Sequence, residues 1–257
     1  MNVNILFRSC DRVNAFSGGG RVRPFGSKQE ITLKCFKFLL KSIRHYEATN
    51  QGNNNPLSLY VVDDHSSEEL LVQMASMAEE NDIKFKLIKT KEKGNGYSLK
   101  TCYEYCRDEL DGLLFYCEDD YLMTETTVDE CVDAYFRLKL ISNNEVCIHP
   151  VDYPDRYHSK YTPIYPAFIF LGKNRHWRTV AHTTGTIMIS KEVLVDQWDK
   201  YEKLTNYGVD PAVTEANTIN LVYEKYPCFS PIPTLAHHYQ FPDTLSPFLE
   251  LTVFDED

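Results

Sequence analysis

Two rhythms of apolar spacing run along this chain, and the switches between them mark its elements. Val3–Phe7 is a short, nearly continuous apolar run of strand length. Ser27 and Glu30 then form an S-x-x-E capping box ahead of Ile31, Cys35, Phe38, Leu39 and Ile43, which recur at helical spacing. The pattern repeats. A strand at Leu57–Val62 precedes a helix opened by Ser66 and Glu69 and running to about Asn81, and a third strand covers Ile83–Ile88. The turn Lys93-Gly94-Asn95-Gly96 leads into a helix closing near Gly112, and Leu113–Cys117 is the fourth strand. Strands alternating with helices of this length predict a βαβ series, hence an α/β fold with a mostly parallel central sheet and helices on both faces.

The later chain is less regular. A helix at about Val128–Leu140, a strand at Val146–Pro150 and a Tyr/Pro-rich loop from Asp152 to Pro166 are followed by a β-rich segment ending Gly185-Thr186-Ile187-Met188-Ile189. One helix starts at Ser190, and a last one is expected from Asp210-Pro211 to about Lys225, with Asp210 as its N-cap and proline at its first position. No linker or repeat divides the chain, so residues 1–257 read as one domain.

Charge and cysteine usage narrow the function classes. A net charge of −10 argues against non-specific nucleic-acid binding. No apolar run is long enough for a transmembrane segment, and the start of the chain does not have the pattern of a signal peptide. The eight cysteines include no C-x-x-C pair and fall within apolar patterns, as buried reduced thiols of a cytoplasmic protein do, and not as a zinc site.

The strand ends carry the candidate chemistry. Ligands of open α/β sheets bind at the carboxyl ends of the strands. Here those ends hold Arg8 with Asp11 and Arg12, then Asp63-Asp64-His65, then Lys93-Gly94-Asn95-Gly96, then Glu118-Asp119-Asp120. If the fourth strand continues, Glu118 and Asp120 share one face and Asp119 takes the other. Two carboxylates converging on one point need a cation between them. A second charged segment stands out. From Arg156 to Lys191 there is no acidic residue, while Arg156, Lys160, Lys173, Arg175, Arg178 and Lys191 lie inside it. Cations among aromatics such as Trp177 suit a sugar or a phosphate-bearing ligand.

This set of strand ends resembles the nucleotide-sugar glycosyltransferases of the GT-A fold, most closely the family 2-like group. The resemblance is strongest over residues 1–120, a nucleotide-binding half, and looser over 121–257, an acceptor-binding half. It implies that Asp63 or Asp64 contacts the base or ribose of a UDP- or GDP-linked donor, with Arg8, Lys93, Asn95 and Asp119 also on the nucleotide. Arg21 and Arg23, beside the Gly-rich loop Ser17–Arg21, are further candidates for its diphosphate. Glu118-Asp119-Asp120 stands where the family has its D-x-D motif. Asp120, with Glu118 and a later histidine, His238, would hold Mn²⁺ or Mg²⁺. His182, Thr184 and Gly185 would face a glycan-type acceptor, Gly185 allowing close backbone approach to the sugar.

The same resemblance implies a carboxylate base for an inverting reaction, supplied by Glu215 or Asp210. The family's Glu-Asp pair departs here, because Ala216 stands where the aspartate is expected. Two other readings follow from the same features. A sugar-phosphate nucleotidyltransferase shares the sheet, but its glycine loop lies directly after the first strand. A catalytically inactive nucleotide-sugar or glycan-binding domain is favoured only by Ala216.

Overall fold

The computed structural model describes residues 1–12, 23–51, 55–157 and 166–254. Its first half is β1 (Val3–Ser9), α1 (Lys28–Thr49), β2 (Leu57–Asp63), α2 (Glu68–Glu80), β3 (Phe85–Lys89), α3 (Asn95–Glu109) and β4 (Leu113–Glu118). Then come β5 (Tyr121–Met123), α4 (Thr127–Ser142), β6 (Cys147–Ile148), β7 (Ile169–Leu171), β8 (His176–Val180), β9 (Ile187–Ser190), α5 (Lys191–Asp196), α6 (Trp198–Leu204), α7 (Ile219–Lys225), β10 (Cys228–Ile232) and β11 (Ala236–His238).

One sheet orders its strands β3-β2-β1-β4-β9-β6-β10-β8-β7, and β5 pairs with β11 apart from it. The strands β3, β2, β1 and β4 are parallel, while β9 and β8 run against their neighbours. The α/β architecture expected from the pattern is present, with a mixed, mostly parallel sheet. The chain steps outward from β1 to β3 and then returns to the other side of β1 as β4. Right-handed crossovers therefore put α1 and α2 on one face and α3 on the other. The alternation along β1 serves both layers. Val3, Ile5 and Phe7 pack with Phe36, Leu39 and Ile43 of α1, whereas Leu6 packs with Cys102, Tyr103 and Cys106 of α3. All eight cysteines are free thiols, and seven are buried.

The boundaries shift where capping decides them. At α1 the Ser27–Glu30 box forms as expected, with both reciprocal bonds present. At α2 the cap is Ser67, which accepts from Leu70 N, and not Ser66. The third strand begins at Phe85, two residues later than its apolar pattern starts. The expected helix from Asp210 to Lys225 is broken. Thr214 caps a single 3₁₀ turn at Glu215–Asn217, Thr218 leaves helical geometry, and only Ile219–Lys225 is α-helical. Asp210 instead closes a local turn by accepting from Ala212 N at 2.9 Å, so its capping role is corrected to a loop role.

Candidate active site

The topological reversal between β1 and β4 places their carboxyl ends side by side, with Arg8 and Glu118 as register partners. A cleft of about 1530 Å³ opens there. That exceeds the roughly 300–1,000 Å³ of a typical small-ligand pocket. Its lining includes the acidic triplet Glu118, Asp119 and Asp120, here called its floor, the start of α3, Thr183, Thr184 and Glu215, and Lys28, Tyr153 and His238.

The acidic triplet does not behave as a continuing strand. β4 ends at Glu118 and the next two residues turn, so the three carboxylates fan out, each to its own cation. Glu118 Oε1 meets Arg8 Nη1 at 3.1 Å. Asp119 pairs with the Lys28 ammonium and also accepts from Cys10 N at 2.9 Å. Asp120 Oδ2 lies 3.7 Å from His238 Nε2. Loss of water at the cleft floor raises the Glu118 carboxyl pKa, only partly countered by Arg8. Burial acts the same way on Asp120, but Lys28 and His238 outweigh it and hold that carboxyl below its usual range. Burial also works against a charged His238, and the Asp120 carboxylate reverses this, so the imidazole pKa rises.

At 3.7 Å, His238 Nε2 and Asp120 Oδ2 are too far apart for a hydrogen bond, leaving a gap between two potential ligand atoms. The other ring nitrogen, Nδ1, lies 3.3 Å from the Tyr153 hydroxyl, and the ring stacks on Tyr121 at 4.7 Å. An imidazole fixed from behind in this way suits a metal ligand. A carboxylate oxygen suits Mn²⁺ or Mg²⁺, and an imidazole nitrogen suits the softer Mn²⁺ better, with phosphate and water completing the shell. Glu118 is engaged by Arg8. Among the described residues, no group of three His, Cys, Asp or Glu side chains stands ready to hold a metal. Of the expected set, Glu118 pairs with Arg8 while Asp120 and His238 face each other. The alternation along β11 takes His237 away from the cleft, where its ring nitrogens meet Leu249 O and Ser246 N.

On the opposite side, Asp64 is buried, and both its oxygens accept from Gly94 N, at 3.1 and 3.0 Å. This bond joins the end of β2 to the start of α3, where Gly94 has a φ of 133° that favours glycine. Asp63 turns inward to Ser66 N and does not line the cleft. Arg8 is fully engaged, by Glu118, by Asn95 Oδ1 at 2.5 Å and by Ser98 Oγ at 3.2 Å. It braces β1, β4 and α3 against each other. Lys93 and Asn95 remain on the cleft surface.

Thr184 Oγ1 donates to Glu215 Oε1 at 3.0 Å and directs that carboxylate at the cleft. Asp210 is exposed and is not on the cleft lining, next to Val209, which is. His182 lines the cleft, and its carbonyl accepts from Arg156. The positive segment does not form a free basic face. Lys173 pairs with Asp129, Arg175 with Glu130, Arg178 with Asp152, Arg156 with Asp155 and Lys191 with Asp111. Among the described residues of that segment, Arg156 is the basic side chain on the cleft. Arg23 also lines it, whereas Lys160, Arg21 and the rest of the Gly-rich loop lie outside the described residues.

Gly185 packs against the acidic floor. A Cβ built there would sit 2.4 Å from the Tyr121 hydroxyl and 2.7 Å from Glu118 Oε2, and its φ is 81°. Gly185→Ala is expected to cost about 2–4 kcal/mol through left-handed strand-end strain plus the displaced Tyr121. Urea unfolding measures it, and a loss below about 0.5 kcal/mol would show that this backbone is not wedged.

Sequence reasoning missed Lys28, Tyr153 and Tyr121. Lys28 carried a signal. A lysine at the first position of a long helix opposes the helix dipole, and it is found there because Asp119 faces it.

Comparison with known proteins adds a fold. TarS of S. aureus superposes with a TM-score of 0.52 over 90% of this chain at 11% identity. The mannosyltransferase PcManGT from Pyrobaculum calidifontis, in complex with GDP-Man and Mn²⁺, superposes with a TM-score of 0.50 over 89% at 13% identity. The fold is shared with a mannosyltransferase. The chain spans 35% and 54% of the length of these two proteins. No protein-family model matches it, and no curated protein matches it either. Among the described residues, no helix is long and apolar enough to cross a membrane.

Proposed function

We propose that the chain is a metal-dependent glycosyltransferase moving a sugar from a UDP- or GDP-linked donor to a hydroxyl of a glycan-type acceptor, with inversion. The observation carrying this reading is the cleft at the β1/β4 switch point, whose floor sets Asp120 and His238 face to face opposite the start of α3. PcManGT, which shares the fold, holds GDP-Man and Mn²⁺.

The nucleotide lies along Asp64, Lys93 and Asn95, with Arg8 and Asp119 keeping β1, β4 and α1 in place around it. Asp120 and His238 would hold the divalent ion, which would supply positive charge for the departing diphosphate. Glu215, aimed by Thr184, accepts the proton of the acceptor hydroxyl as its oxygen attacks the anomeric carbon. His182 and Thr184 line the acceptor side, and Gly185 sets the backbone there. Buried, reduced cysteines suit a cytoplasmic setting.

The test is release of nucleoside diphosphate from UDP- and GDP-sugars with Mn²⁺ and a glycan acceptor. Glu215→Gln is expected to slow turnover about 10²–10⁴-fold, the ordinary contribution of a general base. Asp210→Asn is expected to be unaffected. Equal losses in both variants would remove Glu215 from the base role.

A further inference from the structure

The Lys28 ammonium sits inside the acidic floor. It pairs with Asp119, its side chain is 13% exposed, and it lines the same cleft as Asp120 and His238. Arg8 neutralises Glu118 from the opposite side. Among the described residues, Arg8 pairs with Glu118 and Lys28 with Asp119, while Asp120 faces the His238 imidazole, so little net negative charge is left on the triplet. Such a floor is a poor trap for a free divalent ion, whose affinity follows the number of uncompensated ligand charges. A diphosphate changes this balance, bringing both oxygens for the ion and negative charge toward Lys28. Lys28 also occupies a costly place, at the dipole-positive end of a 22-residue helix. Neutral residues would cap or continue that helix as well, so the charge calls for a role beyond the helix.

We propose that Lys28 is a resident counter-cation that keeps the Asp120–His238 pair from holding Mn²⁺ or Mg²⁺ alone, so that the ion is retained only together with the donor diphosphate. The inference rests on the glycosyltransferase reading above for the identity of the diphosphate ligand. Its consequence is a reciprocal coupling. The nucleotide tightens the metal by the same factor as the metal tightens the nucleotide, and Lys28 sets the size of that factor. Lys28 acts as a positioning residue, since its contact is with Asp119 and not with the reacting atoms.

Two measurements test it. Mn²⁺ alone is titrated into the protein by the paramagnetic signal of the free ion. UDP and GDP are then titrated calorimetrically with Mn²⁺ and with Mn²⁺ removed. The wild type is expected to bind Mn²⁺ alone weakly, and Mn²⁺ to tighten one of the two nucleotides at least about 100-fold, near the upper end of ordinary coupling between sites. Lys28→Met and Lys28→Gln are each expected to tighten Mn²⁺ alone about tenfold and shrink the coupling by the same factor, while Lys28→Arg keeps both. Two charge-removing variants guard against one failing to fold. Unchanged or weaker Mn²⁺ binding in the folded variant overturns the proposal, as does wild-type binding of Mn²⁺ that no nucleotide improves. If neither nucleotide binds under any condition, the glycosyltransferase reading falls and coupled retention falls with it. The Lys28 arm, measured with Mn²⁺ alone, still reports separately whether the ammonium opposes the ion.

Discussion

Asp120→Asn is expected to cut nucleoside diphosphate release from a sugar nucleotide about a thousandfold, with the fold intact. The substitution keeps the shape of the side chain but removes the carboxylate of the triplet that faces the His238 imidazole and not the salt-bridging Arg8 or Lys28. Charge stabilisation by a bound divalent ion is worth several kcal/mol in a transition state, and about 4 kcal/mol corresponds to a thousandfold in rate. Lys28 and His238 favour the Asp120 carboxylate in the folded state, so the amide also gives up some stability, and unfolding is measured beside turnover. Glu118→Gln is the informative comparison. It leaves the Asp120–His238 pair in place, so it should retain metal-dependent nucleotide binding while loosening Arg8. Parallel turnover measurements on the two variants separate the roles. Equal loss of metal dependence in both would return Glu118 to the metal site.

Acid should destabilise the fold through His149, a residue on no surface. Its Nδ1 donates to Thr186 O at 2.7 Å, its ring stacks on Tyr153, and its Nε2 has no hydrogen-bond partner among the described residues. Burial pushes its pKa down to about 3 from the ordinary 6.5. A depressed folded pKa means the unfolded chain takes up the proton first. The contribution is therefore complete above pH 6.5 and is lost progressively as pH falls toward 3. At pH 5 the loss is about 2 kcal/mol. The Asp120-paired His238 shifts the opposite way, since its raised pKa adds stability on protonation. The difference between wild type and His149→Asn cancels that shared contribution, and the amide preserves a donor toward Thr186 O. Urea unfolding at pH 7 and pH 5 should show the wild type losing about 2 kcal/mol more than the variant. A constant difference would mean that His149 titrates alike in both states. His149 also matters for position, because Thr186 Oγ1 accepts from Glu118 N at 3.0 Å and so fixes the end of β4.

The first half of the molecule was legible because local signals there agree with the tertiary outcome. Apolar strand runs, capping serines and the glycine turn each fix one element, and parallel crossovers leave little topological choice. Identifying which acids reach the cleft required the structure. Asp63 and Asp64 are indistinguishable as neighbours in sequence, and only the pairing of Asp64 with Gly94 N sends it toward the site. The Glu118–Asp120 alternation failed because the strand ends at Glu118, two residues too soon. The basic segment misled for another reason. Its partners, Glu130, Asp152 and Asp129, are distant in sequence and neutralise it only after folding. The broken final helix shows a local contest, in which the Thr214 and Asn217 side chains satisfy backbone groups within one turn and stop the helix that Asp210-Pro211 would have begun.

The most direct test of the central claim is thermal unfolding with UDP, GDP, CDP and TDP, each with and without Mn²⁺. A ligand at a hundred times its Kd stabilises the folded state by about 2.7 kcal/mol. The cleft as described predicts a clear rise in Tm with UDP or GDP that requires Mn²⁺ and disappears in Asp120→Asn. No rise with any nucleotide, or a rise that Asp120→Asn leaves intact, would contradict the assignment of this cleft to a metal-bound sugar nucleotide.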